Sequence, residues 1–202
     1  MNLEKVLSPS LKTATASSVL RTYQSLYAKP PEKILLLPSS TGYDYQRFTQ
    51  EWPDAEYWAV ERETSTWAAI FATNHYKRVL RSEIRDVDLE GNTFDILYLD
   101  LMGYFTNGLI TDLMHFLSQG VLAEKGSVVA LTLIQRPVRS SEAIRKRMRN
   151  MLAWEFADCV TNTFNYSYYA QPDPVQFTTK GVVSYVNHSV FVTSIFHCQK
   201  SA

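Results

Sequence analysis

Apolar positions along this chain fall into short unbroken runs and longer stretches with a period of three to four residues, and the two alternate. Leu11, Ala14, Val19, Leu20, Tyr23 and Leu26 follow Pro9 at helical spacing and stop before Pro30-Pro31, predicting an N-terminal helix from near Ser8 that covers the sheet as a lid or at an edge. A buried strand is expected at about 33–37, a short helix from Tyr43 to Glu51 ended by Trp52-Pro53-Asp54, and a second strand at 56–60. A helix over 65–74 and a strand from Lys77 to Ser82 continue the alternation. Phe94 to Asp100, introduced by Glu90-Gly91-Asn92, reads as the most deeply buried strand. Leu109, Leu113, Phe116 and Leu117 then share one face of a helix from about Asn107 to Gln119, closed by Gly120. Ser127 to Ile134 is apolar except for its hydroxyls, as expected of a parallel strand covered on both faces. A long helix is expected over 139–157. The Tyr, Phe, Val and Thr-rich stretches at 162–170 and 181–197 read as strands that end the αβ alternation. The pattern as a whole predicts one α/β domain over residues 1–202, a mainly parallel sheet ending antiparallel, with residues 1–29 as a helical extension.

The turn after the first strand carries the sharpest signal. Ile34-Leu35-Leu36-Leu37-Pro38-Ser39-Ser40-Thr41-Gly42 is a strand, a tight turn and a helix start, and Tyr57-Trp58-Ala59-Val60-Glu61 brings a carboxylate to the end of the next strand. This layout resembles the opening of the class I S-adenosylmethionine-dependent methyltransferases, whose glycine-rich turn has the form Val-Leu-Asp-Leu-Gly-x-Gly-Thr-Gly. The match runs, in order, over roughly residues 30–200. Thr41-Gly42 keeps the end of that motif, Pro38 and Ser40 stand where its first two glycines would be, and Leu36 replaces its acidic residue. Pro38 fixes φ near −65° and donates no N–H, so the turn is built differently here.

The resemblance implies a doubly wound, Rossmann-like fold, S-adenosylmethionine as cofactor, and methyl transfer to an oxygen, nitrogen or carbon nucleophile. It places Ser39, Ser40 and Gly42 beside the cofactor and gives Glu61 the two ribose hydroxyls, which a carboxylate can accept together. Glu63 is the alternative for that role. Asp86, after the third strand, is implied at the adenine amino group. Asp100 and Tyr104 occupy the position where base-amine methyltransferases carry Asn/Asp-Pro-Pro-aromatic, although Asp100-Leu101-Met102-Gly103-Tyr104 lacks the prolines; they are the candidate catalytic pair. A competing reading is a methyltransferase-like binding or regulatory protein without turnover, favoured by Pro38 and Leu36. The absence of Gly-x-Gly-x-x-Gly argues against a dehydrogenase.

Composition narrows the remaining choices. Formal net charge is zero, so no whole-molecule field steers a polyanion, yet Arg136 to Arg149 concentrates positive charge at the end of the fifth strand. Arg139, Arg145, Lys146 and Arg149 therefore read either as a solvated helix face or as a surface for nucleic acid. Cys159 and Cys198 lack metal-ligand spacing, and the four histidines stand apart from any nucleophile motif. Met1 to Val6 shows no signal-peptide pattern and no window is apolar enough to span a bilayer, so a soluble cytoplasmic protein is expected, with no metal and no membrane partner.

Overall fold

The computed structural model describes residues 9–38, 42–104, 106–135, 157–165, 175–187 and 189–200. β1 (Lys33–Leu36) lies between two parallel neighbours, pairing Leu35 with Trp58 of β2 (Glu56–Glu61) and with Leu97 of β4 (Ile96–Tyr104). β3 (Arg78–Arg81) joins β2 in parallel, and β5 (Ser127–Gln135) joins β4 in parallel. β6 (Val175–Asn187) turns back into β7 (Ser189–Lys200), and β7 inserts antiparallel beside β5, giving the order β3-β2-β1-β4-β5-β7-β6. The strand predicted to be most buried, β4, is central in this seven-stranded sheet. The chain leaves β1 towards one edge and returns to β4 on the other side, so the carboxyl ends of β1 and β4 flank a topological switch point, where doubly wound sheets bind ligands.

The unbroken apolar runs are explained by a helical layer on each face. Ile34, Leu36, Ile96, Tyr98, Val128 and Ala130 face one layer, while Leu35, Leu97, Leu99, Val129 and Leu131 face the other. On the first face α1 (Pro9–Leu26) inserts Ala16, Val19, Leu20 and Tyr23, and α2 (Tyr43–Glu51) adds Phe48. α1 packs beside α2 and over β5, β7 and the edge strand β6, and its apolar face belongs to the core on this side of the sheet. Its i, i+3, i+4, i+7 apolar stripe is wholly buried, and each such large side chain contributes roughly 1.5–3 kcal/mol. On the second face α4 (Asn107–Ser118) supplies Leu113, Phe116 and Leu117. α3 (Thr64–Phe71) sits near the β3 edge, its Trp67 indole donating to the Val79 carbonyl at 3.2 Å.

Two expectations are corrected. Residues 162–165, read as the start of a strand, belong to a helical stretch, 157–165. Val160 and Phe164, four apart, bury one helical face against Phe177 and Phe196, and tertiary packing overrides the β propensity of the local sequence. The Asn165 side-chain amide then accepts from the Phe177 N–H at 2.8 Å and donates to its carbonyl at 3.0 Å, standing in for a neighbouring strand beside β6. β4, expected to close at Asp100, continues to Tyr104 after a register shift between Asp100 and Gly103, where Leu101 and Met102 are inserted opposite β5. The helix expected over 139–157 lies almost wholly outside the described residues.

Candidate functional site

A cleft of about 370 Å³ opens at the carboxyl ends of the parallel strands. Leu37 follows β1 into it, Val60 and Glu61 end β2 on its wall, Asp100 and Leu101 come from β4, and Leu109 and Asp112 come from α4. Ser82, Glu83 and Ile84, directly after β3, close its far side.

Glu61 reaches the cleft because the alternation of β2 places Val60 inward and the strand ends one residue later. Its carboxylate accepts the Glu63 N–H at 2.8 Å, which orients the group at the strand tip. Glu63, the alternative candidate, is committed elsewhere: it caps α3, accepting from the Ser65 and Thr66 N–H groups at 3.1 and 2.6 Å and from the Ser65 hydroxyl at 2.6 Å. These bonds, that from Ser65 foremost, hold its carboxyl down at about 2.

Asp100 is half-buried at the start of the register shift and lines the cleft beside Leu101. Asp86 is exposed and is not among the lining residues; the carboxylate on that wall is Glu83, two residues beyond the end of β3. A signal for Glu83 was present in the sequence, since it stands directly after the predicted third strand, but the charged loop from Glu83 to Glu90 offered several carboxylates and no period to choose among them. Asp112 was also missed, because among the polar residues of an amphipathic helix nothing local marks it as facing the cleft. Exposed ion pairs flank the cleft, Arg62 to Glu83 at 3.6 Å and Arg85 to Asp112 at 3.6 Å, and such pairs contribute about 0–1 kcal/mol.

Gly42 takes a left-handed conformation, φ 63°, at the N-terminus of α2, and its carbonyl accepts the Gln46 N–H at 3.0 Å. This is a backbone position that L-residues seldom adopt. Ser39 and Ser40 lie outside the described residues, as do Arg139, Arg145, Lys146 and Arg149; Tyr104 is described as the last residue of β4. Among the described residues no group of three or more His, Cys, Asp or Glu side chains is placed to hold a metal ion.

No family model and no curated protein matches the sequence. Solved structures do match in shape. The plantazolicin methyltransferase BpumL in complex with SAH superposes with a TM-score of 0.61 at 11% identity, covering 97% of this chain and 87% of its own. The N-methyltransferase NodS from Bradyrhizobium japonicum WM9 gives 0.57 at 11%, covering 94% and 97%, and P. horikoshii TYW2 in complex with MeSAdo gives 0.61 at 13%, covering 100% and 67%. With the strand order, the antiparallel β7 and the switch-point cleft, these likenesses identify the architecture: this chain has the class I S-adenosylmethionine-dependent methyltransferase fold.

Proposed function

We propose that the chain is an S-adenosylmethionine-dependent methyltransferase, one domain over residues 1–202, that binds its cofactor in the switch-point cleft. The observation that carries this reading is that Glu61, at the end of β2, and Asp100, from β4, line one cavity whose volume lies in the range of small-ligand sites. The donor set fits the cofactor. Glu61, oriented by the Glu63 N–H, is suited to accept from the ribose hydroxyls, and Glu83 supplies, in place of Asp86, an acceptor for the adenine amino group. Leu37, Val60, Ile84 and Leu101 provide apolar wall for a planar base. Asp100 stands at the β4 side, where its carboxylate can accept a hydrogen bond from the N–H or O–H of a methyl acceptor, turn the acceptor's lone pair towards the cofactor and hold the departing proton. The bound cofactor supplies an electrophilic methyl group on a sulfonium.

A second reading, a methyltransferase-like binding or regulatory protein without turnover, is favoured by one observation. Pro38, buried directly after Leu37, removes an N–H donor at the first position of the turn. The acceptor we propose is a nucleic acid, on the strength of the Arg/Lys-rich sequence from Arg136 to Arg149; residues 136–149 lie outside the described part of the chain. Cys159 and Cys198 are both free thiols, which suits the reducing cytoplasm, and among the described residues no helix is long and apolar enough to cross a membrane.

Calorimetric titration with S-adenosylmethionine and S-adenosylhomocysteine tests the reading. Binding is expected, and Glu61→Ala should weaken it by about 1–3 kcal/mol, the scale of hydrogen bonds to a charged group. Equal affinity in that variant removes Glu61 from the site, and no binding of either form at millimolar concentration overturns the cofactor reading. Binding without methyl transfer to any acceptor supports the second one.

A further inference from the structure

The sequence between β1 and α2 has Pro38 and Ser40 where the motif it resembles has glycines, and one residue of the central strand touches the chain on either side of it, at Leu37 and at Asp44. The Leu37 N–H donates to the Tyr98 backbone carbonyl at 3.0 Å, fixing the chain as it leaves β1. The Tyr98 hydroxyl donates to Asp44 Oδ1 at 3.3 Å, reaching the first turn of α2 two residues beyond Gly42. Both side chains are buried, Tyr98 at 2% exposure and Asp44 at 1%. The Tyr98 ring is itself fixed edge-on against Phe48, centroids 5.6 Å apart, so its hydroxyl is delivered from a braced position.

The placement of Asp44 suits this task. Gly42 has no side chain to cap α2, and a carboxylate in the first turn meets the positive end of the helix. A buried carboxylate is costly without partners, and Tyr98 is one that arrives from 54 residues away. Leu37, at the entry, is itself on the cleft wall.

We infer that Tyr98 and Asp44 are positioning residues of the proposed cofactor site: through Tyr98 they tie Leu37, on the cleft wall, to the first turn of α2. The inference rests on the methyltransferase reading, and two kinds of measurement separate its failure from the failure of that reading.

The first needs no ligand. Amide hydrogen exchange on the free protein should show Gln46, whose N–H bonds Gly42 in the first turn of α2, exchanging at least several-fold faster in Tyr98→Phe than in the parent, with β5 and β7 amides unchanged. The second is calorimetric titration with S-adenosylhomocysteine well below the unfolding temperature. Tyr98→Phe keeps the ring and its packing and should raise Kd about three- to tenfold. Asp44→Asn keeps an acceptor for the hydroxyl and should stay close to the parent, while Asp44→Ala should match Tyr98→Phe and the double variant should add little to either. Unchanged exchange at Gln46 overturns the clamp whatever the ligand result. Unchanged Kd in Tyr98→Phe, or additive losses in the double variant, overturns its role at the site. A parent protein that binds no S-adenosylhomocysteine overturns the methyltransferase reading instead, and the positioning role with it, while the exchange result still reports on the clamp itself.

Discussion

At the scale of residues, two glutamates two positions apart do different work. Glu61 stands on the cleft wall and Glu63 caps α3, although the sequence offered both for one role. The element boundaries decide between them: β2 ends at Glu61, and Glu63 is the N-cap of α3, its carboxylate accepting from the N–H groups of Ser65 and Thr66. Glu63 therefore titrates at about 2 in the folded protein, below the unfolded value near 4.3. A depressed carboxylate stabilises the fold fully above its unfolded pKa, and the contribution declines as pH falls from about 4.3 through about 2. A side-chain NMR titration should give a Glu63 midpoint near 2, with the Thr66 amide losing protection over the same interval. A midpoint above 4 would refute the cap. Elsewhere burial sets the direction: Tyr27 is pushed up to about 12, chiefly by desolvation, while its hydroxyl and His197 Nε2 lie 2.8 Å apart.

At the scale of elements, a buried aspartate ties three strands together at the end of the sheet opposite the cleft. Asp95 Oδ2 accepts the N–H groups of Glu32 and Lys33 at 2.7 and 3.1 Å, and Oδ1 pairs with Lys125 at 2.7 Å. Its backbone N–H donates to the Lys33 carbonyl and its carbonyl accepts from Val128, so one residue registers β1, β4 and β5. Burial opposes the Lys125 charge, but Asp95 and Tyr23 outweigh it and raise the lysine pKa above its ordinary value. Asp95→Ala should cost about 2–4 kcal/mol in denaturant unfolding. That is less than for a wholly buried pair, because the Lys125 side chain is 42% exposed and can rehydrate. A loss under about 0.5 kcal/mol would show that the strands hold their register without it. In the sequence Asp95 is only one polar residue in an apolar run, and nothing local distinguishes it from Asp100, which lies at the cleft.

At the scale of the whole molecule, zero net charge means that any attraction for a polyanion must come from a local concentration of charge. If Arg139, Arg145, Lys146 and Arg149 serve a nucleic-acid acceptor, binding of RNA or DNA should weaken steeply with added salt, and neutralising these four residues should flatten the slope. Salt-independent binding, or none at low ionic strength, returns them to a solvated helix face and leaves a small molecule or a protein as the acceptor. The fold does not choose among acceptors: the neighbours it resembles include a plantazolicin methyltransferase and an N-methyltransferase.

The αβ order, the central place of β4 and the carboxylate at the end of β2 were set by local pattern, because burial on one or two faces of a strand or helix is written in the spacing of apolar residues. The position of Glu61 at the end of β2 was legible in that way, and so was the start of α2 after Gly42, which takes left-handed backbone there. The tertiary structure alone decided what depends on residues far apart. It turned 162–165 into helix by packing Phe164 on Phe177 and Phe196, carried β4 beyond Asp100 through a register shift, and put Glu83 on the cleft wall while leaving Asp86 in solvent. It also brought Tyr98 to Asp44 across 54 residues and Asp95 to Glu32 across 63. Spacing specifies which face of an element is buried. Which polar side chain meets which, and which one looks into a cleft, is fixed only when loops of irregular path and strands distant in sequence are brought together.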